Sequence, residues 1–336
     1  LFATSTVVIA AARYHPDHSI PQVIDRFMSN SPGRVCPVRY RYGPGAIAGA
    51  PEQSADTLYV IGGLYGNLQA LDAIDAMAAA ESGPVRLCFN GDFNWFNVDD
   101  AGFRAINERV LRHDAIVGNV EAELSESSAE AGCGCAYPEN VDEGVVERSN
   151  QIHAMLKRTA ARHPDILARL NGLPMVARYK VGAIRVGIVH GDAEALAGWR
   201  FDVAALDDPN EHAWRAEVFA GAGVDVFASS HTCLPATRRF DLDGTKLVAN
   251  NGAAGMPNAL GSHFGILTRI GVSQSPYPVL YGCRMGDVAI DAVPVRYDVS
   301  RWQREFLKNW PQGSPAWLSY FSRIANGPEY RLQQGV

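Results

Sequence analysis

Residues 85–97 read VRLCFNGDFNWFN. An apolar run rich in β-branched and aromatic residues stops at Gly91, and Asn-Gly-Asp is a loop signal. Residues 85–89 therefore read as a buried strand with Asp92 just beyond its carboxyl end. In open α/β sheets ligands collect at such ends, because the loops that follow the strands converge on a crevice. Three other predicted strand ends carry metal-binding residue types: Gly118-Asn119, His190-Gly191-Asp192 and Ser230-His231-Thr232-Cys233. The four loops together decide the reading.

Upstream, LYVI at 58–61 reads as a strand, GGLYGN at 62–67 as a tight loop and 68–80 as an amphipathic helix, so that 85–89 completes a βαβ unit. The same order continues with a helix at 103–111 and a short strand at 114–117. Residues 122–140 interrupt it with Ser, Glu, Gly and a Cys-Gly-Cys, and read as part of a loop insertion spanning about 122–144. Then come a helix at 145–162, paired strands at 174–179 and 184–189, a helix at 211–220 and a strand at 224–228. A hairpin turns at Asp243-Gly244, and strands at 265–270, 278–283 and 288–293 form a meander. Alternating βα units followed by hairpins imply an α/β fold, a four-layer αββα sandwich of two mixed sheets, one from each half of the chain. The expected organisation is an N-terminal extension (1–56) packed on the main domain, the main domain itself (57–298) and C-terminal helices (299–336). Within the extension, 4–12 reads as a strand or buried helical turn and 20–28 as a helix.

A chain of 336 residues that is 47% hydrophobic and 20% charged can bury a large core and has a globular composition. The formal net charge is −6 with both signs mixed along the chain, so no basic stripe points to nucleic acid. The most apolar early segment, 7–12, is too short to span a bilayer, so no membrane partner is expected. Six cysteines are sparse for this length, and Cys88 lies in a predicted core strand. That suits a reducing, cytoplasmic compartment better than a disulfide framework. Cys133-Gly134-Cys135 reads either as a surface turn or as a lid whose thiols ligate a metal or change redox state.

One carboxylate, one amide oxygen and two imidazoles on rigid strand ends suit a metal that activates water. In their order and context the motifs resemble those of the calcineurin-like metallophosphoesterases, over residues 57 to about 257. GGLYGN stands where that family has D-x-H-G-N, Gly91-Asp92 matches G-D, and GNVE at 118–121 resembles G-N-H-[D/E]. HGD at 190–192 matches H-G, SHTC at 230–233 resembles G-H-x-H, and NNGAAGMPN at 250–258 resembles the turn that follows. The resemblance implies hydrolysis of a small-molecule phosphoester by metal-bound hydroxide, with one metal held by Asp92, Asn119, His190 and His231, all intact. The residues that complete the other metal site in the family correspond here to Gly63, Tyr65 and Cys233, and the His of G-N-H is Val120.

Three readings stay open. In the first, Tyr65 and Cys233 act as replacement ligands in an altered two-metal site, whose thiolate selects zinc or iron over magnesium, with manganese the other ion expected. In the second, a single metal works with Asn67 and backbone amides as charge stabilisers. The third is a catalytically inactive pseudo-phosphoesterase that binds a ligand or partner. The cofactor expected is one or two divalent or trivalent ions per chain. Glu121 reads as orienting a ligand from behind or as a surface carboxylate, and Trp95, Phe96 and Trp199 as crevice-lining or packing residues.

Overall fold

The structure, a computed structural model, describes residues 31–128 and 130–336. The elements expected at 4–12 and 20–28 lie outside the described residues. In chain order the strands are β1 (Glu52–Ser54), β2 (Thr57–Ile61), β3 (Val85–Asn90), β4 (Asp114–Ile116), β5 (Val176–Val181) and β6 (Ile184–Val189). They continue as β7 (Val226–Ser229), β8 (Pro235–Leu242), β9 (Gly244–Asn251), β10 (Gly265–Gly271), β11 (Tyr281–Met285) and β12 (Val288–Val295). The helices are α1 (Gly43–Gly49), α2 (Leu68–Ala79), α3 (Asp100–Val110), α4 (Asn119–Ala122) and α5 (Glu143–Ala160). After them come α6 (Pro164–Leu170), α7 (Val203–Asp207), α8 (His212–Ala222), α9 (Val299–Asn309) and α10 (Pro315–Asn326). Strands β5 and β11 begin two or three residues later than the sequence suggests, beyond Pro174 and Pro278, which have no N–H to give a ladder.

The strands make two six-stranded sheets, ordered β11-β12-β10-β2-β3-β4 and β1-β5-β6-β7-β9-β8. The sequence led us to expect one sheet from each half of the chain, and here the structure differs. The first sheet begins with β2–β4 and is completed by β10–β12, whereas β1 joins the second sheet alongside β5. The reason is that β2 is buried at all five positions and cannot serve as an edge. Its free side is paired by β10, with Thr268 opposite Val60 and Ile270 opposite Leu58.

Alternation along the strands assigns each face. Leu58, Val60 and Cys88 of the first sheet pack against Ile188, Val226 and Ala228 of the second, filling the space between the sheets. Tyr59, Ile61 and Phe89 point outward to residues of α2, α3 and α5, such as Ile74, Phe103 and Ile152. On the opposite side Val189, Phe227 and Val248 pack against Ile47 of α1 and Val218 and Phe219 of α8. The result is an αββα sandwich. Strands β2, β3 and β4 run parallel, as do β6, β7 and β9, so both sheets deliver their carboxyl-end loops to the same end of the molecule. Among the described residues no helix is long and apolar enough to cross a membrane.

Candidate metal centre

The loop after β3 turns sharply at Gly91 (φ +73°) and Asp92 (φ +53°). A non-glycine residue in the left-handed region costs roughly 1–2 kcal/mol, and such residues cluster where a site needs them. Glu121 holds this turn in place. One of its carboxylate oxygens accepts from the Asp92 N–H (2.8 Å) and the other from the Asn94 N–H (3.1 Å). Glu121 is buried, so the surface reading is replaced by that of a strut beneath the loop. Burial, reinforced by the nearby Asp92 charge, pushes its carboxyl up to about 7.

Four lone pairs converge above these loops. His190 Nδ1 donates to the Asn90 carbonyl at 2.8 Å, which leaves Nε2 facing inward. That nitrogen lies 3.3 Å from Asp92 Oδ2, 3.0 Å from Asn119 Oδ1 and 3.2 Å from His231 Nδ1. His231 Nε2 donates to the Cys135 carbonyl at 3.0 Å, so its Nδ1 carries the lone pair. The Asn119 amide nitrogen donates to the Cys133 carbonyl at 3.0 Å, which turns Oδ1 inward. Backbone carbonyls thus set both imidazole tautomers and the amide orientation, which is how metal-binding histidines are usually oriented. Among the described residues, Asp92, His190 and His231 form the group of acidic, His or Cys side chains whose ligand atoms all lie within 4.8 Å of one another. They come from the loops after β3, β6 and β7, and Asn119 from the loop after β4.

The electrostatics match a cation position. Burial opposes ionisation of Asp92, but the charge and hydrogen bond of His190 outweigh it and hold the carboxyl below its usual range. Burial likewise works against a charged His190, yet Asp92 overcomes it and raises the imidazole. Burial, with the His190 charge, pushes His231 down to about 3. A proton on His190 Nε2 would meet the three acceptors that face it, Asp92 Oδ2, Asn119 Oδ1 and His231 Nδ1. A divalent ion would satisfy all of them, and the donor set of one carboxylate, one amide oxygen and two imidazoles suits zinc, iron or manganese.

The roof over the centre is residues 133–135. Cys133 and Cys135 form a disulfide, so their sulfurs are bonded to each other while their carbonyls face Asn119 and His231. The reading of those thiols as metal ligands is therefore corrected. Trp199 closes the side, donating from Nε1 to the Cys135 carbonyl (3.0 Å) with its ring edge-on to His231. Trp95 and Phe96 belong to the packed core beneath α9 and α10.

The solved structures that this fold resembles include a metallophosphoesterase from Sphaerobacter thermophilus, 16% identical, with a TM-score of 0.51 over 81% of this chain and 99% of that one. A hypothetical protein from Pyrococcus horikoshii OT3 is 14% identical, with a TM-score of 0.55 over 82% of this chain and 99% of that one. The fold is that of the calcineurin-like metallophosphoesterases. No protein-family model matches the chain, and no curated protein matches it by sequence.

At two of the positions that the motif resemblance assigned to a second metal, this chain has a neutral pair. The Tyr65 hydroxyl lies 2.9 Å from Cys233 Sγ. An added Cβ at Gly63 would stand 2.9 Å from the Tyr65 ring, so the ring occupies the space that a side chain at 63 would need. Burial, helped by Cys233 and Asp92, holds the Tyr65 hydroxyl well above its ordinary value. Burial also raises the Cys233 thiol, although the Arg323 guanidinium pulls the other way. Asn67 serves as the N-cap of α2, with Oδ1 accepting from the Ala70 N–H and Nδ2 donating to the Gly255 carbonyl, both at 2.9 Å. Its amide is engaged in holding the loop rather than turned to the metal centre. Val120 uses its N–H to hold Asp92 Oδ1 (3.1 Å), and behind it the buried His153 hydrogen-bonds the Val120 carbonyl (2.9 Å).

Three contributors were not legible in the sequence. Tyr40 and Arg39 both hydrogen-bond the buried Glu123, bracing α4 from below. Arg323 of α10 donates to the Cys233 carbonyl at 2.7 Å and fixes the last motif loop. Nothing local marks these residues, because each acts across a long stretch of chain.

Proposed function

We propose that this chain is a phosphoester hydrolase that works with a single metal ion held by Asp92, Asn119, His190 and His231. The observation that carries the reading is the convergence of four ligand atoms, three of them on side chains whose N–H donors are already committed to backbone carbonyls. An ion bound there supplies Lewis acidity, making a water nucleophilic at neutral pH and neutralising charge on a phosphoryl oxygen. The protein's share is orientation. Asp92 supplies the anionic charge, the two imidazoles would turn their inward nitrogens to the ion in place of a proton, and Trp199 with residues 133–135 limits water. Tyr65 and Cys233 keep their protons and bond to each other, which argues for one ion rather than two. The substrate class is a small-molecule phosphoester. The proposed compartment is the cytoplasm, on cysteine usage alone, and the Cys133–Cys135 disulfide is the exception to that usage.

A second reading, a metal-holding scaffold without turnover, is favoured by one observation. The four ligands are only 0–6% exposed, beneath a roof of buried residues. The test is hydrolysis of p-nitrophenyl phosphate and bis(p-nitrophenyl) phosphate by protein loaded with zinc or manganese. The hydrolase reading expects metal-dependent turnover of at least one ester, lost on chelation and in His190→Ala. Bound metal without turnover of either ester would turn the case to the scaffold.

A further inference from the structure

The Cys133–Cys135 disulfide is packed against the core and touches the metal centre through two carbonyls. Asn119 and His231 reach the centre from different sheets, one from the loop after β4 and the other from the loop after β7. Each is aimed by a hydrogen bond of 3.0 Å to a carbonyl of this one three-residue ring, to Cys133 and to Cys135 respectively. The ring holds its two Cα atoms 5.4 Å apart. It is also clamped from outside. The Cys133 N–H donates to Asn150 Oδ1 at 2.9 Å and Trp199 Nε1 to the Cys135 carbonyl at 3.0 Å. Gly134 sits so close that an added Cβ would stand 2.4 Å from the Tyr40 hydroxyl and 3.3 Å from Asn119 Cβ.

We infer that Cys133 and Cys135 are redox-dependent positioning residues. Closed as a disulfide they aim Asn119 and His231 at the metal, and opened by a dithiol they weaken metal binding. The reaction is a two-electron exchange. The S–S bond breaks, each cysteine sulfur ends as a thiol with one proton, and the dithiol that supplied the electrons and protons closes to its own disulfide. Opening leaves both carbonyls in the chain but frees the distance and angle between them, so both ligands lose their common brace. Partners behind metal ligands typically matter 10- to 100-fold in affinity, which sets the expected size. The inference rests on the proposed metal site and is separable from it by experiment.

The full chain is compared as purified, after reduction with dithiothreitol and anaerobic desalting, and as the Cys133→Ser/Cys135→Ser variant. Denatured thiol counting should give four thiols before reduction and six after it, since four cysteines are free in the structure. Zinc affinity, by competition with a chromophoric chelator, should fall about 10- to 100-fold in the reduced protein and in the double variant. The cobalt(II) absorption spectrum should change in parallel, and reoxidation with glutathione disulfide should restore the wild type. If the double variant does not fold, the reduced wild type carries the comparison alone. Equal affinities and spectra in the two redox forms would overturn the inference and leave the metal site standing. Failure of the oxidised protein to bind zinc or cobalt would overturn both.

Discussion

Asp92→Ala should weaken metal binding by about 10²–10³-fold, measured by calorimetric titration with zinc or manganese. Four-ligand sites gain roughly 10–16 kcal/mol from zinc, so one ligand's share is about 2.5–4 kcal/mol. Asp92 is the anionic member of the set, with Oδ2 3.3 Å from the inward nitrogen of His190. Its loss leaves two imidazoles and an amide to hold a dication without a countercharge. The change also removes the acceptor for the Val120 N–H, which binds Oδ1 at 3.1 Å, so a modest loss of stability should accompany it. An affinity within about threefold of wild type would place the metal elsewhere.

Gly91→Ala should be strongly destabilising, costing about 2–5 kcal/mol in urea denaturation. Part of the cost is the backbone, since Gly91 has φ +73°, where a Cβ adds roughly 1–2 kcal/mol. The rest is overlap, which in packed interiors costs about 1–3 kcal/mol. The added carbon would stand 2.5 Å from Gly118 Cα, 2.6 Å from Gly118 N and 2.7 Å from His190 Nδ1. Two of those contacts are backbone atoms that cannot rotate away. Relief must come from parting the loops after β3 and β4, which separates Asp92 from Asn119. Metal affinity should therefore fall together with stability, and a cost below about 1 kcal/mol would show that the two loops are not packed as described.

The parts of this structure that could be read in the sequence are those encoded locally. Residues 57–61 and 85–90 form strands because β-branched and aromatic residues fill both faces, and Gly91 ends the second at the point where Asp92 is needed. The loops bearing Asn119, His190 and His231 follow the same rule. Pairings between distant segments were less accessible. Strand β10 lies against β2 because of an edge that local pattern does not reveal, which is why the two sheets do not divide the chain into halves. The Tyr65–Cys233 contact spans 168 residues, and its consequence, a filled second position, depends on where the Tyr65 ring lies above Gly63. The roles of Cys133 and Cys135 reside in their carbonyls and in their bond to each other, whereas their residue type pointed to thiol chemistry at the metal. Glu121 could be read either way, and burial decided it.

One ion should sit among Asp92, Asn119, His190 and His231 while Tyr65 and Cys233 satisfy each other. Metal content by elemental analysis, on wild type and Cys233→Ala purified in parallel and saturated with zinc, tests it most directly. A single site gives one equivalent in both proteins. Two equivalents in the wild type falling to one in Cys233→Ala would show that the thiol completes a second site, and no metal in either would contradict the centre itself.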